Sequence, residues 1–212
     1  TWLIDYFTSK SPRSMDFKDI LYDKKDYVAR ITINRTEAYN AYTTDTLREL
    51  IRAFDDASQD DQVGVIVYTG AGEKAFCTGG DVKEYASVYT KRPHEYFKYM
   101  GLFSRYIESI FRSGKVTIAR INGMAVGGGN ESQLACDLAV MADDAFIRHV
   151  GPEHGSVPAG GATQWLPIFV GDRRAREVLF LCEEIPAAKA AEWGLVNYAV
   201  PRAELDAKVD EL

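Results

Sequence analysis

The sequence predicts an α/β fold, and three observations carry that reading. Short β-branched or apolar runs alternate with longer stretches of helical periodicity from about residue 27 onward. No low-complexity linker interrupts the alternation. The 212 residues, 46% of them hydrophobic, suit one compact domain or a domain with an appendage.

The elements follow in order. Residues 27–34, Tyr-Val-Ala-Arg-Ile-Thr-Ile-Asn, are β-branched and partly alternating, as in a strand. Thr43 or Thr44 can cap a helix through about Ser58, with Leu47, Leu50, Ile51 and Phe54 at helical spacing. Val63 to Thr69 is apolar almost throughout, so it reads as a strand covered on both faces. A short helix is predicted from Asp81, and a longer one from Pro93 to about Phe111, where proline suits the first helical position. Val116 to Asn122 is a strand, Gly123 to Gly129 a glycine-rich connection and Asn130 to Cys136 a helix. Two short strands follow, Asp137 to Ala142 and Ala145 to Val150. Helices are then expected around Trp165 and Leu166, over Arg173 to Cys182 and over Pro186 to Trp193. After Pro201 an amphipathic helix begins and stops at Leu212. With Thr1 in place of an initiator Met, this suggests a piece of a longer chain.

Bulk properties narrow the function. No apolar run approaches the roughly 18–20 residues of a membrane span, and the first residues lack the pattern of a signal peptide. A net charge of −6 argues against a nucleic-acid partner, which needs a basic footprint. Cys77, Cys136 and Cys182 are odd in number and far apart, with neither metal-ligand spacing nor a disulfide framework. A reducing cytoplasm is the natural home, and no metal is expected.

Three segments carry chemistry: Lys74-Ala75-Phe76-Cys77-Thr78-Gly79-Gly80-Asp81, Asn122-Gly123-Met124-Ala125-Val126-Gly127-Gly128-Gly129-Asn130-Glu131, and Gly151-Pro152-Glu153 with Pro158-Ala159-Gly160-Gly161. The first two each place glycines after a strand and at the start of a helix. The first N–H groups of a helix have no internal acceptor and sit at its positive end. Two of them aimed at one oxygen make an oxyanion hole. The alternative is that the glycines only permit tight strand–helix packing. A dinucleotide fingerprint fits poorly, because Gly123-x-x-x-Gly127-Gly128-Gly129 is not G-x-G-x-x-G.

Together, and in this order, the segments closely resemble the crotonase (enoyl-CoA hydratase) superfamily from about Asp16 to Pro201. The resemblance implies a crotonase-like spiral of ββα repeats over 15–200. An N-terminal extension at 1–14 precedes it, and a C-terminal helical region for trimer contacts is only begun at 201–212. It also implies an acyl-CoA thioester substrate, with coenzyme A as part of the substrate and no separate cofactor, and a homotrimer or hexamer. By position, the oxyanion donors are the N–H groups of Gly80 and Gly128. Ala38, Thr78, Gly80, Asp81, Val82, Lys83 and Gly128 would line the acyl-CoA path. Glu131 and Glu153 match the two glutamates that the family's hydratases place on either side of the double bond. One carboxylate deprotonates water while a carboxylic acid protonates the α-carbon, so burial must raise at least one pKa. Glu131 can also be read as a first-turn residue favoured by the helix dipole. The stretch from Glu153 to Pro158 is shorter than in those hydratases. His149 and His154 flank Glu153 and titrate in a useful range, although loop histidines are more often surface residues.

The run from Arg148 to Trp165, the stretch Gly127-Gly128-Gly129-Asn130-Glu131-Ser132-Gln133 and the extension Thr1 to Ser14 are most similar to the 6-oxocyclohex-1-ene-1-carbonyl-CoA hydrolases of anaerobic aromatic degradation. That resemblance implies a ring-opening hydrolase adding two waters to give 3-hydroxypimelyl-CoA. Glu131 or Glu153 would serve the hydration, and His149 or His154 the attack on the ring ketone. The alternatives are a hydratase of a linear enoyl-CoA or cyclic dienoyl-CoA and, from another class, a non-catalytic RNA-binding homologue.

Overall fold

The computed structural model describes residues 15–212; the expected extension at 1–14 lies outside the described residues. The first element is a hairpin that periodicity only half revealed. Strand β1 (Ile20–Lys25) pairs antiparallel with β2 (Val28–Ile33). Asp26 and Tyr27 turn the chain at φ 50° and 66°, the left-handed pair that a two-residue hairpin demands. β1 buries only Ile20 fully, so its sequence, Ile-Leu-Tyr-Asp-Lys-Lys, carries little hydrophobic signal.

Helix α1 (Thr44–Gln59) starts at the expected threonines. The Thr43 side chain accepts from the Thr46 N–H while the Thr46 side chain accepts from the Thr43 N–H, a reciprocal capping box. Its Leu47, Leu50 and Phe54 are fully buried.

From there the chain repeats one gesture three times. β3 (Val65–Gly70) joins a large sheet and β4 (Ala75–Cys77) a small one; a short helix α2 (Val82–Glu84) and the long α3 (Pro93–Phe111) follow. β5 (Val116–Ile121) joins the large sheet and β6 (Met124–Val126) the small one, followed by α4 (Gly128–Leu134). β7 (Leu138–Ala142) and β8 (Phe146–Arg148) do the same, followed by α5 (Ala162–Val170) and α6 (Asp172–Leu181). β9 (Ile185–Pro186), α7 (Ala187–Glu192), β10 (Tyr198–Val200) and α8 (Leu205–Glu211) complete the chain.

The large sheet has the order β1-β2-β3-β5-β7-β10 and is parallel beyond the hairpin; the small one has the order β4-β6-β8-β9. Ile31, Ile33, Ile66, Tyr68, Ile118 and Ile121 are fully buried between the large sheet and its helices. Burial of each such side chain is worth about 1.5–3 kcal/mol.

Two differences from expectation matter for the site. Residues 123–129 are not all connection, because Met124–Val126 pair with both β4 and β8. The next helix begins at Gly128 rather than Asn130, which puts Gly128 in its first turn. Two buried asparagines hold the β3–β4 turn. Asn40 donates to the carbonyls of Ala71 and Ala75 at 3.0 and 2.7 Å. Asn122 donates to those of Gly72 and Ala75 at 2.8 and 3.0 Å.

Candidate active site

Strands β4 and β6 are parallel neighbours, with Cys77 opposite Ala125, so they deliver the two glycine turns to the same end of the small sheet. In each turn the candidate donor is preceded by a glycine with positive φ: Gly79 at 88° before Gly80, and Gly127 at 55° before Gly128. Such dihedrals are nearly closed to residues with a side chain, and they set how the next peptide N–H points. The turns touch: a Cβ on Gly79 would stand 3.1 Å from the Gly128 nitrogen.

Gly80 lies in a parallel bridge with Tyr42, in which Tyr42 donates to the Gly79 carbonyl and Asp81 donates to the Tyr42 carbonyl, both at 2.9 Å. That geometry leaves the Gly80 N–H over. The Gly128 N–H, in the first turn of α4, is likewise left over. Neither has an acceptor among the described residues. Two unspent N–H groups on adjoining turns can polarise one carbonyl oxygen and hold the oxyanion it becomes.

Asp81 turns out to be structural as well as positional. One carboxylate oxygen caps α2, accepting from the N–H groups of Lys83 and Glu84 at 2.9 and 3.3 Å. The other takes Arg35 at 3.0 Å. Burial alone would raise its pKa, but the Arg35 bond and the two N–H donors hold it below the usual carboxylate value. Ala38 and Thr78 are half-buried, and the Thr78 hydroxyl donates to the Tyr39 carbonyl at 3.1 Å. Val82 and Lys83 are exposed at the start of α2.

Glu131 sits one turn beyond Gly128 on α4 and is 3% exposed. Its Oε1 accepts the N–H groups of Gly160 at 2.7 Å and Ala162 at 3.2 Å, where α5 begins. Oε2 takes no comparable bond among the described residues. Burial pushes the carboxyl pKa up, and the N–H groups of Ala162, Gly160 and Ala159 only partly offset this. Glu131 does lie in the first turn of α4, as the helix-dipole reading expects, and its carboxylate also meets the positive end of a second helix.

The groups after β8 divide. His149 is buried, with Nδ1 3.5 Å from the Asn130 amide nitrogen, and burial lowers its pKa to about 4. Glu153 and His154 lie on an exposed 3-10 turn, Gly151–His154. Arg148 binds Glu153 Oε1 at 2.7 Å, and His154 Nδ1 lies 3.1 Å from the Val150 carbonyl. The structure thus places Gly80 and Gly128 on touching turns with Glu131 one turn further along α4, whereas it sets Glu153 and His154 on the surface with local partners. All three cysteines are free and buried; burial raises the Cys77 thiol to about 12.

Sequence reasoning missed the aromatic wall. A Cβ on Gly80 would overlap the Tyr85 hydroxyl and come within 2.8 Å of the Tyr99 hydroxyl, while one on Gly128 would overlap the Tyr42 hydroxyl. Tyr85 and Tyr99 share a hydrogen bond at 2.8 Å, and Tyr42 stacks on Phe103 with ring centroids 5.7 Å apart. A signal was present: five of the 12 tyrosines fall between residues 85 and 106, and Tyr96, Tyr99, Phe103 and Tyr106 recur at helical spacing on α3.

A fold of ββα turns, with free N–H groups where two of them meet, defines a crotonase-type protein. The chain belongs to the enoyl-CoA hydratase/isomerase family, whose model matches residues 23–212. Among curated relatives it is 44% identical over 182 residues to 6-oxocyclohex-1-ene-1-carbonyl-CoA hydrolase of Geobacter metallireducens and 42% identical over 182 residues to the protein of that name from Thauera aromatica. These matches cover 86% of this chain and 48% of each relative, so the chain spans about half their length. Among solved structures, an enoyl-CoA hydratase from Bacillus anthracis superposes with a TM-score of 0.87 at 33% identity, covering 92% of this chain and 74% of that one. An enoyl-CoA hydratase/isomerase from Xanthobacter autotrophicus Py2 gives 0.87 at 31% identity, covering 92% and 72%. The crotonase-like spiral expected from the glycine motifs is the observed fold.

Proposed function

We propose that this protein opens the ring of 6-oxocyclohex-1-ene-1-carbonyl-CoA by adding two waters. The observation that carries the reading is the pairing of two unspent N–H groups, Gly80 and Gly128, with a buried carboxylate anchored through one oxygen only. The names of the relatives at 42–44% identity supply the substrate class.

The thioester oxygen takes the N–H groups of Gly80 and Gly128. Glu131, through Oε2, removes a proton from the first water as its oxygen bonds to the β-carbon. The electron pair of the ring double bond moves onto the thioester oxygen, and the α-carbon is then protonated. The second water attacks the ring ketone. The bond between that carbon and the α-carbon breaks, its electron pair returns to the thioester enolate, and protonation gives 3-hydroxypimelyl-CoA. Both steps pass through an enolate at the same oxygen, so one pair of donors serves both. For the second water the burial of His149 favours it over exposed His154, because a neutral imidazole can accept a proton. Glu153 is left in this reading as the partner of Arg148. Exposed Lys83 and Val82, with Ala38 and Thr78, flank the entry of the CoA chain to Gly80.

The test supplies full-length protein with 6-oxocyclohex-1-ene-1-carbonyl-CoA and follows product mass by liquid chromatography–mass spectrometry. Two added waters are expected. A product that stops at one water would favour a hydratase, the activity named for the solved structures at 29–33% identity. No reaction would remove this substrate from the proposal.

A further inference from the structure

In the proposed reaction the ring ketone has as yet no hydrogen-bond donor. Attack by water turns that carbonyl oxygen into an alkoxide, and an alkoxide in a dry site needs a donor of its own. The two N–H groups are already committed to the thioester.

The aromatic wall beside those N–H groups holds several hydroxyls, and most are spent. Tyr85 and Tyr99 bond each other at 2.8 Å, and Tyr68 and Tyr106 at 2.5 Å. Tyr89 is bonded to the Thr44 hydroxyl. Tyr42 differs: its ring is buried and its hydroxyl makes no hydrogen bond among the described residues, and since no fully buried side-chain polar atom among them lacks a partner, that oxygen is open beside Gly128. An open, uncommitted hydroxyl on a rigidly held ring is free to donate to whatever binds beside it. Its place is specific as well, since it occupies the position where a Cβ on Gly128 would stand. The ring is fixed by its stack on Phe103, and its backbone by the bridge to Gly80.

The substrate's own geometry brings the ketone to this point. Its ring carbonyl and thioester carbonyl flank one carbon, so in the syn arrangement their oxygens lie about a hydrogen-bond length apart. A donor beside the Gly128 N–H can therefore meet the ketone oxygen while the thioester oxygen stays in its hole.

We infer that the Tyr42 hydroxyl donates to the ring-ketone oxygen and stabilises the alkoxide formed there by the second water. This rests on the ring-opening reading and adds to it the group that recognises the ketone. In the step itself, water's oxygen bonds to the ketone carbon, its proton goes to the general base, and the carbonyl π pair becomes the alkoxide held by Tyr42. Collapse restores the carbonyl as a carboxylic acid while the carbon–carbon bond pair leaves as the thioester enolate. Tyr42 keeps its proton throughout, as burial among other tyrosines requires.

The experiment compares wild type and Tyr42→Phe as full-length proteins, with one-water and two-water products quantified in a quenched time course. Phenylalanine keeps the stack on Phe103, and unchanged circular dichroism verifies folding. Ring opening is expected to slow about 10²-fold, the usual cost of losing one donor to an oxyanion, while the one-water adduct accumulates. Two results overturn the inference: two-water product at the wild-type rate, or equal slowing of both steps with no adduct, which is the mark of a merely structural residue. If wild type itself never gives the two-water product, the ring-opening reading has failed, and the role of Tyr42 falls with it.

Discussion

Replacing Gly128 with alanine tests the site at its tightest point. The added Cβ would overlap the Tyr42 hydroxyl and stand 3.0 Å from its Cζ and 3.4 Å from Phe103 Cε2. Tyr42 cannot simply retreat, because it is 2% exposed, stacked on Phe103 and bridged through its backbone to Gly80. Overpacking of this kind costs about 1–3 kcal/mol. In a chain of 212 residues that lowers Tm by about 2–12 °C, taking about 2–4 °C per kcal/mol. Turnover should fall further than stability, by about 10²–10³-fold, because the shifted backbone carries one of the two proposed oxyanion donors.

The same geometry predicts a rescue. In Gly128→Ala with Tyr42→Phe the overlapping oxygen is gone, and the closest remaining contact is the ring carbon at 3.0 Å, which a few tenths of an ångström of movement relieves. The double variant should recover more than half of the lost Tm without recovering turnover. Thermal unfolding of the four proteins gives the coupling directly as a double-mutant cycle. Strictly additive Tm changes, or Gly128→Ala melting like wild type, would refute the packing argument.

Glu131→Gln keeps an oxygen for the Gly160 and Ala162 N–H groups but cannot take a proton, so turnover should drop about 10²–10⁴-fold. Since the folded-state pKa of Glu131 is raised, its contribution to stability is fully present below the unfolded pKa and is lost as pH rises through the folded pKa. The amide escapes that loss, so denaturant melts should show the variant gaining on wild type at neutral pH and the gap closing in acid. His149 has the opposite dependence. Its pKa is lowered to about 4, so stability is lost as pH falls from the ordinary histidine value toward 4, by up to roughly 3 kcal/mol. His149→Gln should flatten that slope in urea melts between pH 7 and 4, and an unchanged slope would place the acid sensitivity elsewhere. Arg35→Met strips the partner from Asp81 and from the Ala41 carbonyl, both little exposed, and should cost on the order of 3 kcal/mol, read in the same melts.

What could be read in advance follows from how locally each feature is encoded. The helix Pro93–Phe111 was legible at both ends, because proline marks its first residue and its apolar residues recur at helical spacing. Val65–Gly70 and Val116–Ile121 were legible as continuous β-branched or apolar runs. β4 and β6 have three residues each, too few for an alternating pattern, and they sat unseen inside the glycine motifs. The positions of Gly80, Gly128 and Glu131 were legible because consecutive residues carry each glycine turn and the first turn of the helix after it. Tyr42 was not. Its place depends on a bridge to Gly80 and a stack on Phe103, contacts between distant parts of the chain with no signature around residue 42 itself.

If Glu131 is the general base of the proposed reaction, its setting answers two conflicting needs. A general base must be ionised near neutral pH yet basic enough to take a proton from water. Burial raises the carboxyl pKa and so disfavours the carboxylate. The beginning of α5 counters this, because the Gly160 and Ala162 N–H groups favour the charged form through Oε1. Both of those bonds fall on one oxygen, and in the proposed reaction the other takes the water. Gly160 is the tight point in this arrangement: a Cβ there would press on Phe103 within 2.9 Å and on the Glu131 side chain at 3.1 Å. In the proposed reaction the glycine-rich stretch after Glu153 therefore serves Glu131, its N–H groups tempering the rise in pKa that burial imposes.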